Sequence, residues 1–212
     1  MRLPFVPVDG LCRKCGRDAP GLTGDFICED CRLHRPAFDR AASVFRFEGD
    51  ARELINGFKF REHLHLRNDL VDFLEALAHA RFHLEEVACL VPMPSTIGHR
   101  WLRGYNQCEI LAKALAVRLR KPCRPLIKRV GLPARQGGLD EAARRENVIG
   151  TFAPNVRILR PDPYARLPHM RTVLLIDDIM TTGSTLSEAA KTLKAAGIGR
   201  VWTLTLARSV RI

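Results

Sequence analysis

The chain has 212 residues, 46% of them hydrophobic and 27% charged. That length allows one full-sized domain with a small appendage, and the composition is ordinary for a soluble globular protein. No apolar run is long enough to cross a bilayer, and residues 1–10 lack the continuous apolar core of a secretory signal, so a cytoplasmic protein without membrane insertion is expected. The formal net charge is +11, and the surplus is local: residues 99–160 carry 14 Lys and Arg against 4 Asp and Glu. A field of that sign attracts phosphate, whether on a small metabolite or along a nucleic-acid backbone.

In chain order, residues 11–33 are rich in Cys and poor in other apolar side chains. They hold the spacing Cys12-x2-Cys15-Gly16, a gap of twelve residues between the pairs, then Cys28-x2-Cys31. Two residues between thiolates let both sulfurs face one ion from a tight turn, and two such turns complete a tetrahedral cage suited to structural Zn²⁺. A redox pair would sit at the start of a helix after a strand, which this segment does not resemble. With four cysteines present, His34 reads as a surface histidine. The remaining thiols, Cys89, Cys108 and Cys123, stand alone in apolar or helical contexts and read as small buried hydrophobes.

Residues 41–47 have the β-branched and aromatic character of a strand. Residues 67–82 place Leu70, Val71, Phe73, Leu74, Leu77 and Ala78 near helical spacing. Residues 87–91 form a short apolar run stopped by Pro92, as a buried strand would be. A second amphipathic helix is expected over 107–120, a short strand over 126–130, and a long polar, basic loop over 131–147. A loop of that length in a compact domain is often a lid. Residues 157–169, with three prolines, read as a surface connection. A strand over 172–176, a helix over 184–196 stopped by Gly197, and a last strand over 201–206 follow. Alternating strands and helices indicate an α/β fold with a mainly parallel sheet.

The densest chemistry lies at 173–185. Four aliphatic residues deliver Asp177 and Asp178 at the end of a buried strand, the edge where ligands bind open α/β sheets. Thr181, Thr182, Gly183, Ser184 and Thr185 then lead into a helix. Backbone N–H groups, hydroxyls and the positive end of that helix can wrap a phosphate. The carboxylates repel anions but accept hydrogen bonds from hydroxyls. One ligand satisfies both halves if it carries a phosphate at one end and a diol at the other, as ribose 5-phosphate does. A Walker-type loop is excluded, because no Gly-Lys-Ser/Thr follows.

Residues 177–185 resemble the signature of type I phosphoribosyltransferases. The wider chain resembles the ComF family, which joins a cysteine zinc module to a phosphoribosyltransferase-like domain. The resemblance runs through the four cysteines, residues 54–60 (LINGFKF), 91–94 (VPMP), 103–107 (RGYNQ), Arg135, Gln136, Arg144, Arg145, Asn147 and Val148, and 203–208 (TLTLAR). It implies a zinc module over 1–36 and a phosphoribosyltransferase-like domain over 37–212. It implies that Asp177 and Asp178 are the catalytic pair meeting the ribose hydroxyls of 5-phosphoribosyl 1-pyrophosphate, and that Thr181–Thr185 hold its 5-phosphate. Pro92, Met93, Pro94 and Ser95, followed by Arg100 and Arg103, occupy the place of the pyrophosphate loop, with Mg²⁺ carried in by the pyrophosphate. Residues 95–99 read STIGH, less basic than that loop in the family. No segment plainly reads a nucleobase, so the N-terminal third is expected to cover the acceptor.

The implied reaction displaces pyrophosphate from ribose C1 with a nitrogen nucleophile. The family's association with natural competence brings in single-stranded DNA and DNA-processing proteins as expected partners. Two alternatives stand beside it: a non-catalytic DNA-binding or adaptor protein that reuses the fold, and a nucleobase salvage enzyme. Trp101 and Tyr105 are the two aromatics near the start of the basic stretch, which supports only a thin stacking platform for single strands.

Overall fold

The computed structural model describes residues 2–7, 9–19, 24, 26–60, 63–95, 104–130, 148–159 and 172–209. Its strands are β1 (Arg40–Arg46), β2 (Val87–Pro92), β3 (Ile127–Arg129), β4 (Phe152–Pro154), β5 (Thr172–Met180) and β6 (Arg200–Arg208). Its helices are α1 (Glu29–His34), α2 (Gly49–Phe60), α3 (Arg67–Arg81), α4 (Gln107–Arg118), α5 (Val156–Leu159) and α6 (Ser184–Ala195). Four strands make one parallel sheet in the order β1-β6-β5-β2, and β3 and β4 pair antiparallel apart from it. The expected mainly parallel α/β fold is the one observed.

The central strands are apolar on both faces because both faces are covered. Leu174 and Ile176 of β5 join Leu70 and Leu74 of α3 and Leu111 and Leu115 of α4 in one core. The alternate residues Val173 and Leu175 face a second core, with Leu186, Ala190 and Leu193 of α6. The four cysteines belong to that second core. Neither sheet edge is bare. Val6 N donates to Val44 O at 2.9 Å along β1, and Leu90 N in β2 donates to Pro122 O at 2.9 Å. Such cover blunts the tendency of open edges to pair with other chains.

The cysteine segment is fastened to the sheet by backbone. Ala41 N in β1 donates to Lys14 O at 2.8 Å, and Arg46 forms an ion pair with Asp18. Gly16 has φ +67, and a Cβ there would stand 2.7 Å from the carbonyl oxygen of Ala41. Its missing side chain thus permits both the turn and the close approach.

Three features depart from the sequence reading. β5 runs on to Met180 instead of ending near Ile176, because β6 continues beside it, pairing Asp177 with Thr205 and Met180 with Arg208. The acid pair therefore lies inside the ladder. Helices α1, α2 and α5 and strand β4 have no counterpart in the expected elements. The strand expected at 126–130 is three residues long and pairs with β4, not with the main sheet. The lid expected at 131–147 and most of the connection expected at 157–169 lie outside the described residues. Among the described residues, no helix is long and apolar enough to cross a membrane.

Replacing Gly16 with Ala is expected to destabilise the protein by at least about 2 kcal/mol, from left-handed backbone strain and the clash with Ala41. Thermal denaturation should show Tm lowered by roughly 4–8 °C.

Candidate functional site

Asp177 and Asp178 sit near the C-terminal end of β5, with Asp178 only 6% exposed. Asp177 beside it is half-buried, and two adjacent carboxylates with so little water are costly unless other groups receive them. Three side chains from elsewhere in the chain do so. Lys59, in the last turn of α2, places Nζ 2.7 Å from Asp178 Oδ2. Gln107 Nε2 donates to the same oxygen at 2.9 Å. Cys108 Sγ donates to Asp177 Oδ1 at 3.2 Å. The backbone contributes as well: Asp178 N donates to Asp177 Oδ1 at 2.9 Å and Ile179 N to Asp178 Oδ1 at 2.7 Å.

These partners split the pair. Burial opposes ionisation of Asp178, but the Lys59 charge, its hydrogen bond and that of Gln107 outweigh burial and hold the carboxyl below its ordinary value. Among the described residues Asp177 has no cation at ion-pair distance, and the Lys59 charge is only the smallest of the influences on it. Burial first and the Asp178 charge second push it up to about 7. Near neutral pH one carboxylate is firmly ionised and its neighbour is poised between states. Burial and then the Asp177 charge raise the Cys108 thiol well above its ordinary value, so it remains a donor.

The N-terminus of α4 sets this geometry. Asn106 caps the helix by accepting from Cys108 N at 3.1 Å, and its Nδ2 donates to Met93 O at 3.0 Å. Tyr105 donates its hydroxyl to Phe58 O at 2.9 Å, one residue before Lys59. Four consecutive residues thus each fasten a different part of the site. Met93 N donates to Ile176 O at 2.9 Å, so the turn Pro92, Met93, Pro94, Ser95 lies beside the acid pair. That turn opens on a cavity of about 320 Å³ that Lys128 and Arg129 of β3 also line. The Arg129 guanidinium lies 5.3 Å from the centre of the Phe152 ring. Its buried Nε has no hydrogen-bond partner among the described residues. Arg100 and Arg103 lie outside the described residues.

After Met180 the chain turns through the hydroxyl loop into α6. Gly183 has φ 79 and no side chain to cap the helix. Ser184 N donates to Thr182 Oγ1 at 3.2 Å, and the two hydroxyl oxygens are 2.6 Å apart. Thr181 is exposed, and Thr182, Ser184 and Thr185 are half-buried. The structure thus gathers the acid pair, the hydroxyl loop and the Pro92–Ser95 turn at the C-terminal edge of the sheet.

The four cysteines also converge. Their sulfurs all lie within 4.8 Å of one another. Cys15 Sγ and Cys28 Sγ are 3.7 Å apart, too far for a disulfide and close to the about 3.8 Å edge of a tetrahedron of sulfurs around zinc. Cys28 N donates to Cys12 Sγ at 3.3 Å, as amides do toward thiolates. Four ionised thiols this close repel one another, and a divalent cation removes that repulsion. The cluster can therefore hold a structural metal ion. His34 stands aside from the sulfurs, with Nε2 3.5 Å from Asp30 Oδ1.

Sequence reasoning gave no role to Lys59, Gln107 or Cys108. Lys59 and Gln107 sit inside the LINGFKF and RGYNQ runs, so the signal was present as a motif but not as chemistry. Cys108 reads as a buried hydrophobe because helical spacing reports burial and not what the thiol faces.

Comparison with known proteins fits this geometry. The family model described as phosphoribosyl transferase domain matches residues 107–210, which spans Gln107, the acid pair, the loop and β6. Competence protein F of Haemophilus influenzae is 30% identical over 219 residues, covering 96% of this chain and 93% of that protein. The chain belongs to the ComF family. Other relatives are the DNA utilization protein YhgH of Escherichia coli strain K12, 27% identical over 94% of this chain and 85% of that one, and competence protein ComFC of Bacillus subtilis, 26% identical over 94% and 78%. Lys59 and β2 precede the domain match, so one of the three side chains that receive the acid pair comes from outside it.

The Asp177 shift has a consequence for stability. An acid whose folded pKa is raised binds more protons folded than unfolded, so its contribution falls as pH rises from its ordinary 3.8 through about 7. Asp177→Asn keeps the acceptor for Cys108 and for Asp178 N but removes the charge. The variant is expected to match the parent near pH 4 and to exceed it above pH 7 by on the order of 1–4 kcal/mol. Urea denaturation at pH 4.5, 6 and 8 checks this, and a pH-independent difference would contradict it.

Proposed function

We propose that this chain binds 5-phosphoribosyl 1-pyrophosphate with Mg²⁺ at the C-terminal edge of β5. The observation that carries the reading is the juxtaposition of a buried, split acid pair with a hydroxyl-rich loop at a helix N-terminus. In this reading Asp178, kept ionised by Lys59, and Asp177 accept hydrogen bonds from the ribose 2- and 3-hydroxyls. Thr181, Thr182, Gly183, Ser184 and Thr185 receive the 5-phosphate on backbone N–H groups, hydroxyls and the helix end. Pro92, Met93, Pro94 and Ser95, with Arg100 and Arg103, receive the pyrophosphate. Lys128 and Arg129, which share the Pro92–Ser95 cavity, join them in neutralising it. The magnesium would ride on pyrophosphate oxygens and stabilise the leaving group.

The reaction this arrangement supports is transfer of the phosphoribosyl group to a nitrogen nucleophile. Charge stabilisation and water exclusion would lower the barrier. Cys12, Cys15, Cys28 and Cys31 would hold zinc, and with four protein ligands it would serve to hold the N-terminal segment against the sheet. We place the protein in natural competence, in uptake or processing of single-stranded DNA, on the names of its relatives and the +11 charge. Those same observations favour one second reading, a DNA-binding adaptor that uses the pocket for docking and not for turnover.

Calorimetric titration with 5-phosphoribosyl 1-pyrophosphate and Mg²⁺ tests the main reading. Affinity is expected to rise between pH 6 and 8 as Asp177 ionises, since only the carboxylate accepts at both oxygens. The double variant Asp177→Asn, Asp178→Asn should lose at least about 100-fold in affinity while remaining folded, two charge-assisted contacts having been removed. Unchanged affinity would overturn the site. Elemental analysis of protein purified without chelator is expected to give about one zinc per chain, and Cys12→Ser should lower that value and the Tm together.

A further inference from the structure

Beside the hydroxyl loop lies a cavity of about 210 Å³ whose walls do not include the acid pair. The cysteine segment and the loop both line it: Arg17, Asp30 and His34 from the first and Thr182, Gly183 and Ser184 from the second, with the apolar Phe38 and Met180 and the carboxylate of Glu188. Loop and apolar lining are in direct contact. A Cβ on Gly183 would stand 2.8 Å from Met180 Cε and 3.5 Å from Phe38 Cε1. The polar side is braced, because Asp30 takes Arg17 on one oxygen at 3.3 Å and His34 on the other at 3.5 Å. The cavity thus joins an apolar lining to a fixed edge of donors and acceptors. It is smaller than pockets that enclose a whole drug-sized ligand, and it suits one flat heteroaromatic ring system.

If the loop holds a sugar 5-phosphate, a phosphomonoester ends where this cavity begins. We propose that the cavity receives the base of a second nucleoside, joined through that same phosphate. The site then accepts a phosphodiester whose last ribose presents free 2- and 3-hydroxyls to Asp177 and Asp178. The ligand class is a dinucleoside monophosphate, or equally the 3′-terminal dinucleotide of an RNA strand. An internal nucleotide is excluded, because its 3-oxygen is esterified and has no proton to donate to the carboxylates. This inference rests on the reading of the acid pair and loop given above and extends it past the phosphate.

The test compares two monoanionic diesters that differ only beyond the phosphate: adenylyl-(3′→5′)-adenosine and the 5′-phosphate methyl ester of adenosine monophosphate. Titrated into the full chain by calorimetry, the dinucleoside is expected to bind on the order of 5- to 100-fold tighter, the range that one stacked and edge-bonded base supplies. Arg17→Ala with His34→Ala alters side chains that are 28% and 48% exposed. That variant should reduce the dinucleoside to the affinity of the methyl ester and leave the methyl ester unchanged. Equal affinity of the two ligands for the parent protein overturns the cavity assignment, and if 5-phosphoribosyl 1-pyrophosphate still binds, the site reading survives. Failure of all three ligands to bind overturns both. Equal weakening of both diesters in the double variant overturns the role given to the polar edge.

Discussion

Two neighbouring carboxylates near the end of a parallel strand, one buried and one half-buried, are the constraint around which this molecule is arranged. A strand buried on both faces cannot turn both side chains to water, because consecutive residues point to opposite faces. The chain therefore brings one cation, one amide and one thiol to them from α2 and the start of α4. Each of those groups needs its own support. Tyr105 ties α4 to the backbone just before Lys59, and Asn106 ties it to the turn after β2. Loss of any tie would move a charge partner by a distance that matters at hydrogen-bond range. Ligand binding, in the reading proposed above, should therefore be sensitive to residues that never meet the ligand.

The cysteine segment enters the same logic from the opposite side of the sheet. Its four sulfurs share a core with β5 and α6, so a metal there would brace the layer on which the hydroxyl loop rests. Arg208 makes the connection physical. It is 2% exposed, pairs in register with Met180 immediately before the loop, and donates to Cys15 O at 2.7 Å with its Nη1 4.0 Å from Cys15 Sγ. A buried guanidinium requires negative partners, and a cage of thiolates around a divalent ion carries net negative charge. Cysteine cluster, arginine and loop are linked in one short path, so a metal held by the cluster would brace the loop mechanically.

Much of this was legible in the sequence, and the division has a physical basis. The strand-acid-loop-helix unit is local: aliphatic run, carboxylates, small hydroxyl residues and an amphipathic helix follow within 24 residues of chain, Thr172–Ala195. The paired cysteines are local too, because the two-residue spacing itself shapes each turn. Lys59 was not legible, since its task exists only when the end of α2 meets the end of β5, more than a hundred residues later. Cys108 was misjudged for a related reason. Hydrophobic spacing correctly buries it, yet the face of α4 that buries Leu111 and Leu115 begins with a turn that meets a carboxylate. Strand β4, and with it the pairing of β3 away from the main sheet, escaped because a three-residue strand carries almost no periodic signal.

The split titration of the acid pair links fold stability to ligand chemistry. Lys59 could have been matched by a second cation at Asp177, which would have ionised both carboxylates and relieved the cost of burial. A neutral thiol stands there instead, and it leaves Asp177 at about 7. The unrelieved charge is a strain that a sugar diol can remove, since hydroxyl donors to a buried carboxylate replace the water it lost. Binding energy from such a contact is largest where the free site is least satisfied. In the reading proposed above, the weaker partner at Asp177 is therefore what a diol-binding site requires, and a lysine there would make a more stable protein with less to gain from such a ligand.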